Sequence, residues 1–440
     1  MSYIFSPLIP IAAGSLLAIG CLIGAFFNLR RKRLIDDLPT SKTQGVFIGL
    51  TELKGTAESE MPLTGYLSGV RCVMYTWHIE EHWSRTVTET YRDAQGNMKT
   101  RTRTESGWKR VADGGESAPF YLKDATGVIR LNPEGAEIQS NTSFDQTLRP
   151  GDPLYYGKGP PTSIANSTHQ RRFHETAIPI HAMLYVMGQA REREDIVAAE
   201  IAKDKAALMF MISTRSEKQI SSGYGRWFWA WLILGLLVSL GGGAGWAVLA
   251  SFGSMISWAP LGVIAGGYLL VLLIIWIWTT YNSLIGLHQQ VEQGWSQVEV
   301  QLKRRHDLIP NLVQIIEGYR KYENETQRVV TEMRGQMEAT PPGVAGTDFK
   351  GLVRVLRILA ERYPELKASE SFLKLQEALV DTEQRIALAR DYFNDIVTFY
   401  NTRLDIIPDR YAAALARLRP QALMVASDFE RAPVKVNLAE

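Results

Sequence analysis

The sequence predicts a multi-domain membrane protein that joins a β-rich region, built as a small barrel or sandwich, to an all-α antiparallel helical bundle, with three transmembrane helices. Three observations predict it. Three apolar runs are long enough to cross a bilayer, alternating strand-like text lies between the first and second, and apolar residues at steps of three and four dominate everything after the third. At 440 residues the chain is long for one domain. Its net charge of +2 is too balanced to favour nucleic acid as a partner. Two cysteines, Cys21 and Cys72, supply neither a disulfide framework nor a cysteine-based zinc site.

The first span is expected over residues 4–27. Arg30, Arg31, Lys32 and Arg33 follow it and nothing before it is charged, so the positive-inside rule places the N-terminus outside and these four residues at the cytoplasmic lipid surface. A secretory signal carries its charge before the apolar run, which excludes that reading, and Ala18-Ile19-Gly20-Cys21 lacks the basic start of a lipoprotein signal. The second and third spans, 227–250 and 257–279, are joined by a short uncharged loop and form a helical hairpin. Gly241 with Gly245 and Gly262 with Gly266 have the small-xxx-small spacing that permits close packing, although scattered membrane glycine explains them equally well. The third span returns Tyr281 to the side of Arg30, so both soluble regions face the cytoplasm.

Between the first two spans, residues 45–220 read as strands. Val46, Ile48 and Leu50 alternate, as do Val73, Tyr75, Trp77 and Ile79. A long polar hairpin follows, turning at Ala94 to Asn97, and two short strands flank Asp124 to Gly127. Residues Ser140 to Pro161 read as irregular, and strand text resumes in ETAIPIHAMLYVMGQA and AALMFMIST.

From Tyr281 the pattern is helical to about Ala339. Leu284, Leu287, Val291, Trp295, Val298, Leu302, Ile309, Leu312, Ile316 and Tyr319 form a seam broken only at Arg305, and Pro310 predicts a kink within the run. A breaker loop at 339–347, a second helix from Phe349 to Tyr363, a third carrying Phe372, Leu375, Leu379, Thr382, Ile386, Ala389, Phe393, Ile396, Tyr400 and Leu404, and a short helix with Tyr411 complete the region. Antiparallel packing buries both long seams.

The run YNSLIGLHQQVEQGWSQVEVQLKRRHDLIPNLV and the later YPELKASESFLKLQEALVDTEQRIALARDYFNDIVTFYNTRLDIIP closely resemble the two signatures of the LemA family. That resemblance implies a membrane-anchored helical bundle over 281–440 and no established chemistry. Within the first signature, Lys303, Arg304, Arg305, Asp307, Pro310 and Asn311 are the candidate partner-binding residues, against the alternative that the basic trio pairs with Asp381 and Glu383 of the long third helix. The β-rich region resembles the GIDE-type domain of membrane-anchored ubiquitin ligases, through Cys72, Trp77 to Glu81, Trp108, Phe120 to Asp124, Val128, Pro133 and Leu184 to Gly188. Those ligases end in a zinc-binding RING. This sequence has no cysteine after the third span, so the resemblance brings no ligase chemistry with it.

His78-Ile79-Glu80-Glu81-His82 matches a zinc-protease pattern that works only on a helix. In a strand the two histidines stand about 13 Å apart, and the flanking aromatic and β-branched residues favour the strand. Trp295, Phe399 and Tyr400 read as bundle core before ligand platforms. No catalytic, cofactor or metal residues are assigned. The expected function is a non-enzymatic scaffold in a bacterial inner membrane, partnered by lipid and by either a second copy or another protein. A ubiquitin-ligase-like transferase or a metal hydrolase is the alternative.

Overall fold

The computed structural model describes residues 8–46, 48–92, 98–193, 199–204, 209–250, 259–318 and 369–424. The chain divides into two compact units, 40–217 and a discontinuous one made of 1–39 with 218–440. In chain order the strands are β1 (Thr40–Ser41), β2 (Gly49–Glu58), β3 (Leu63–Thr64), β4 (Arg71–Arg92), β5 (Met98–Ser117), β6 (Phe120–Lys123), β7 (Val128–Leu131), β8 (Glu137–Gln139), β9 (Asn141–Leu148), β10 (Ser167–Pro179), β11 (Met183–Glu192), β12 (Ala199–Ala202) and β13 (Met211–Ser213). The helices are α1 (Leu8–Asp36), α2 (Pro153–Gly157), α3 (Glu217–Ala250), α4 (Ala259–Gly318), α5 (Glu370–Asp405) and α6 (Asp409–Leu415).

The β unit contains a closed barrel and an open sheet. Pairing runs β2–β6–β7–β12–β11 and returns from β11 to β2, so five strands close on themselves, with β1, β13 and β8 added at the margins. Leu53, Leu122, Leu131, Val186 and Ile201 fill the barrel with no exposed surface. Gly55 lies so close to β6 that an added Cβ would sit 2.4 Å from the Lys123 carbonyl oxygen, and closure depends on its bare backbone. The expected alternation at Val46, Ile48 and Leu50 is displaced: β2 starts at Gly49, and Ile48 is exposed. The Asp124–Gly127 turn between β6 and β7 forms as expected.

The open sheet has the order β3–β4–β10–β9, with β5 on β4. Strand β9 falls in the passage expected to be irregular. Its polar text, NTSFDQTL, is held as an edge strand by pairing with β10 rather than by any apolar periodicity. The hairpin turn expected at Ala94 to Asn97 lies outside the described residues.

In the helical unit, α1, α3 and α4 are each long and apolar enough to cross a membrane. Ala18, Leu22 and Ala25 of α1 pack with Leu232 of α3 and Tyr268 of α4. Of the glycines expected to permit close packing, Gly245 does so, a Cβ there lying 3.1 Å from Pro10 Cβ, whereas Gly241, Gly262 and Gly266 have nothing within 4 Å. A further close approach is where Gly14 meets Gly242, each Cβ position lying 2.9–3.0 Å from the other's Cα. Helix α1 also continues nine residues past 27, so Arg30 to Arg33 lie on a helix instead of opening a linker.

Helix α4 passes from its apolar half through Pro310 without ending there. Helix α5 runs antiparallel to it, because His288 meets Tyr400, Trp295 meets Phe393 and Arg304 meets Asp381. The α5 seam is buried at Phe372, Leu379, Thr382, Ile386, Ala389, Phe393, Ile396, Tyr400 and Leu404, as its spacing predicts, while Leu375 is half-buried. On α4 the seam passes over Gly294. Phe393 and Ile396 occupy the space a Cβ there would contact at 3.5 Å, and Trp295 is turned outward, 41% exposed. Leu312, Ile316, Tyr319, the helix expected over Phe349 to Tyr363 and the breaker loop lie outside the residues whose packing is described.

Candidate functional site

A buried polar cluster in the helical unit is built where α1 ends. Asp37 follows the last turn of α1, and its carboxylate takes a hydrogen bond from Ser283 Oγ of α4 at 2.9 Å and a salt bridge from Arg403 of α5. Arg403 in turn donates through Nε to Asp409 of α6 at 2.7 Å. One turn back, Arg33 Nη2 donates to Thr280 Oγ1 of α4 at 2.9 Å, and Ser221 Oγ of α3 donates to Asp36 at 2.5 Å. Five helices are thereby tied at one level by side chains from Arg33, Asp36, Asp37, Thr280, Ser283, Arg403 and Asp409.

Electrostatics follow from that enclosure. Burial pushes the Asp37 carboxyl above the usual carboxylate range, against the opposing pull of Arg403 and Ser283. Burial alone would lower Arg403, but Asp37 and Asp409 outweigh it and raise the guanidinium further. Removing one member of so enclosed a pair leaves an uncompensated charge, which makes the cluster a point of structural control.

The four basic residues assigned to lipid and topology divide. Arg30 is exposed. Arg31 donates to the Tyr224 hydroxyl at 3.0 Å, Lys32 pairs with Asp36 one turn on, and Arg33 reaches Thr280. In the LemA-like signature, Arg304 lies 3.6 Å from Asp381, and Arg305, 6% exposed, lies 3.7 Å from Glu383. These are the intrachain partners weighed in the sequence. Lys303 and Asn311 are exposed, while His306 and Pro310 are half-buried.

The β unit has buried ionic centres that the spacing of residues did not signal, those of Arg171 and Glu175 among them. Arg171 and Glu81, both fully buried, pair at 3.0 Å across β10 and β4. The remaining guanidinium hydrogens of Arg171 go to the carbonyls of Tyr155, Pro160 and Thr162, and its plane lies 4.2 Å over the Tyr155 ring. This fastens α2 and the loop after it onto the sheet. Glu175 accepts from the Leu67 amide at 2.6 Å, the Ser68 amide and hydroxyl, and Ser143 Oγ at 2.9 Å.

His78 and His82 lie on strand β4, as expected, and do not converge. His78 instead faces His174 of β10, rings 5.0 Å apart, while His82 stands beside Trp108 and Thr168. Among the described residues no group of three or more His, Cys, Asp or Glu side chains is arranged to hold a metal ion. Cys21 and Cys72 are both buried and unpaired in disulfide terms, and burial pushes the Cys72 thiol up, away from reactivity.

Comparison with known proteins agrees with the two resemblances. Residues 294–438 match the LemA family model, and residues 88–248 match the GIDE model, described as E3 Ubiquitin ligase. The C-terminal region is a LemA-family domain. Protein LemA of Metamycoplasma hominis is 25% identical over 161 residues, covering 36% of this chain and 74% of the relative. Magnetosome protein MamQ of Magnetospirillum gryphiswaldense is 23% identical over 165 residues, covering 31% of this chain and 61% of that protein. MamQ 2 of Paramagnetospirillum magneticum is 22% identical over 163 residues, 30% of this chain and 60% of the relative. No solved structure matches.

Proposed function

We propose that this chain, whose LemA-family domain follows three membrane-length helices, is a non-enzymatic scaffold of the bacterial inner membrane. It presents an antiparallel helical bundle in the cytoplasm for self-association or recruitment of a protein. The observation that carries this reading is the polar cluster around Asp37 and Arg403, which ties the ends of the apolar helices to the base of α4 and α5, as a platform held at a fixed place on the membrane requires. The relatives named above, a LemA protein and magnetosome proteins, are not named for an enzymatic activity, which fits the same reading.

A ubiquitin-ligase-like transferase is the second reading, favoured by the GIDE match. Against it, a RING needs about eight Cys and His ligands, and this chain has two cysteines, both buried. Crosslinking in living cells followed by mass spectrometry tests the scaffold. The expected result is adducts mapping to α4 and α5; a strict monomer that captures no protein, or a purified chain that transfers ubiquitin, overturns the reading.

A further inference from the structure

Strands β4 and β5 pair along nearly their whole length, but the sheet around them stops early. Strand β10 covers the far edge of β4 only as far as Trp83, opposite Ser167. Beyond that point, Ser84–Arg92 and Met98–Ser106 form a two-stranded ribbon about 30 Å long at ~3.3 Å per residue, with most side chains exposed on both faces. Among the described residues β5 pairs only with β4, so its outer edge is open throughout. A lone two-stranded ribbon is marginal in water, and an open edge is a template for another strand.

The two faces differ sharply. Opposed pairs put Thr86 with Thr104, Thr88 with Thr102 and Thr90 with Thr100 on one face, a ladder of small hydroxyl side chains. The other face carries Arg101 and Arg103, and Arg85 held to Glu105 at 2.8 Å. We propose that the β5 edges of two copies of this chain pair antiparallel about a two-fold axis at Thr104, making one continuous four-stranded ribbon.

The register follows from the residues. A two-fold perpendicular to the sheet keeps each face on its own side, so the axis must pass through a residue, not between two. Centring on Thr102 sets Arg101 against Arg103 twice. Centring on Arg103 or Glu105 sets like charges on the axis itself. Centring on Thr104 sets Arg103 against Glu105 of the second copy twice, Thr102 against Ser106, and Thr104 against itself, with like charges meeting only at the ends, Lys99 against Lys109. The row Thr86–Thr104 then continues through Thr104 and Thr86 of the second copy, and the row Thr88–Thr102 continues through Ser106 and Ser84, so hydroxyl side chains cross all four strands at the centre.

This deepens the self-association part of the proposed function by naming the strand that carries it. Thr104→Cys in the full chain, in native membranes, is the test, since both native cysteines are buried and axial residues of such a pair lie about 4.5–5.5 Å apart at Cα. Mild oxidation should give a disulfide-linked dimer, while Thr86→Cys, on the inner strand, should give none. Adding Arg103→Glu should reduce the Thr104 dimer at least tenfold, and co-expression of that chain with one carrying Glu105→Arg and Thr104→Cys should restore it. No dimer through Thr104, a dimer indifferent to Arg103, or an adduct with a different protein overturns the inference. Any of these leaves recruitment by α4 and α5 to be judged by its own crosslinks.

Discussion

At the scale of single residues, the protein is controlled by a few enclosed charges. Asp37→Ala leaves Arg403 short of one partner in a setting where breaking a buried pair costs about 3–5 kcal/mol. Because burial already favours the neutral carboxyl of Asp37, the isosteric Asp37→Asn should cost clearly less than the alanine variant. Thermal unfolding in detergent, followed by tryptophan fluorescence, separates the two; equal losses would contradict the account. Asp124 behaves oppositely. Burial disfavours its charge, but hydrogen bonds from Thr43 and Thr126 prevail and lower its pKa from 3.8 to about 2. Its contribution is complete above the ordinary value and is lost as pH falls toward about 2. Asp124→Asn should therefore show a flatter loss of stability over that acid range than the parent chain. Asp124 was legible as the start of a turn, whereas Asp37 and Arg403 were not. Asp37 and Arg403 stand 366 positions apart, and a side-chain pair at that separation leaves no trace in local spacing.

At the scale of elements, periodicity told most where one face is buried along many turns. The seam of α5 follows its three-four spacing from Phe372 to Leu404 because a long helix packed on one side must repeat with its own turn. It misled where helices come close. A large residue at the expected seam position of α4, Trp295, gives way to Gly294, which faces Phe393 and Ile396 at ordinary contact distance and leaves Trp295 on the outer side of the seam. Strand β9 escaped for the converse reason: an edge strand lying on a mostly polar face has no apolar alternation to read. The glycine contacts give a sharp prediction. Gly14→Leu should lower stability by about 1–3 kcal/mol through overpacking against Gly242, whereas Gly241→Leu, facing open space, should change it little. Unfolding midpoints of the two variants in the same detergent decide the matter.

At the scale of the whole molecule, composition and hydropathy outlined the architecture: three apolar helices, strands between the first two, and long helices after the third. The barrel closure of β2 onto β11 could not be read, because it pairs segments some 130 residues apart and no local pattern encodes which strands meet. The central claim is that both units work on the cytoplasmic side of one membrane. Thiol labelling tests it most directly, with cysteine placed at exposed Met61 in the β unit and at exposed Leu415 in the helical unit. The account predicts that a membrane-impermeant reagent labels neither position in intact spheroplasts and both once the membrane is permeabilised. Labelling of either position in intact spheroplasts would contradict it.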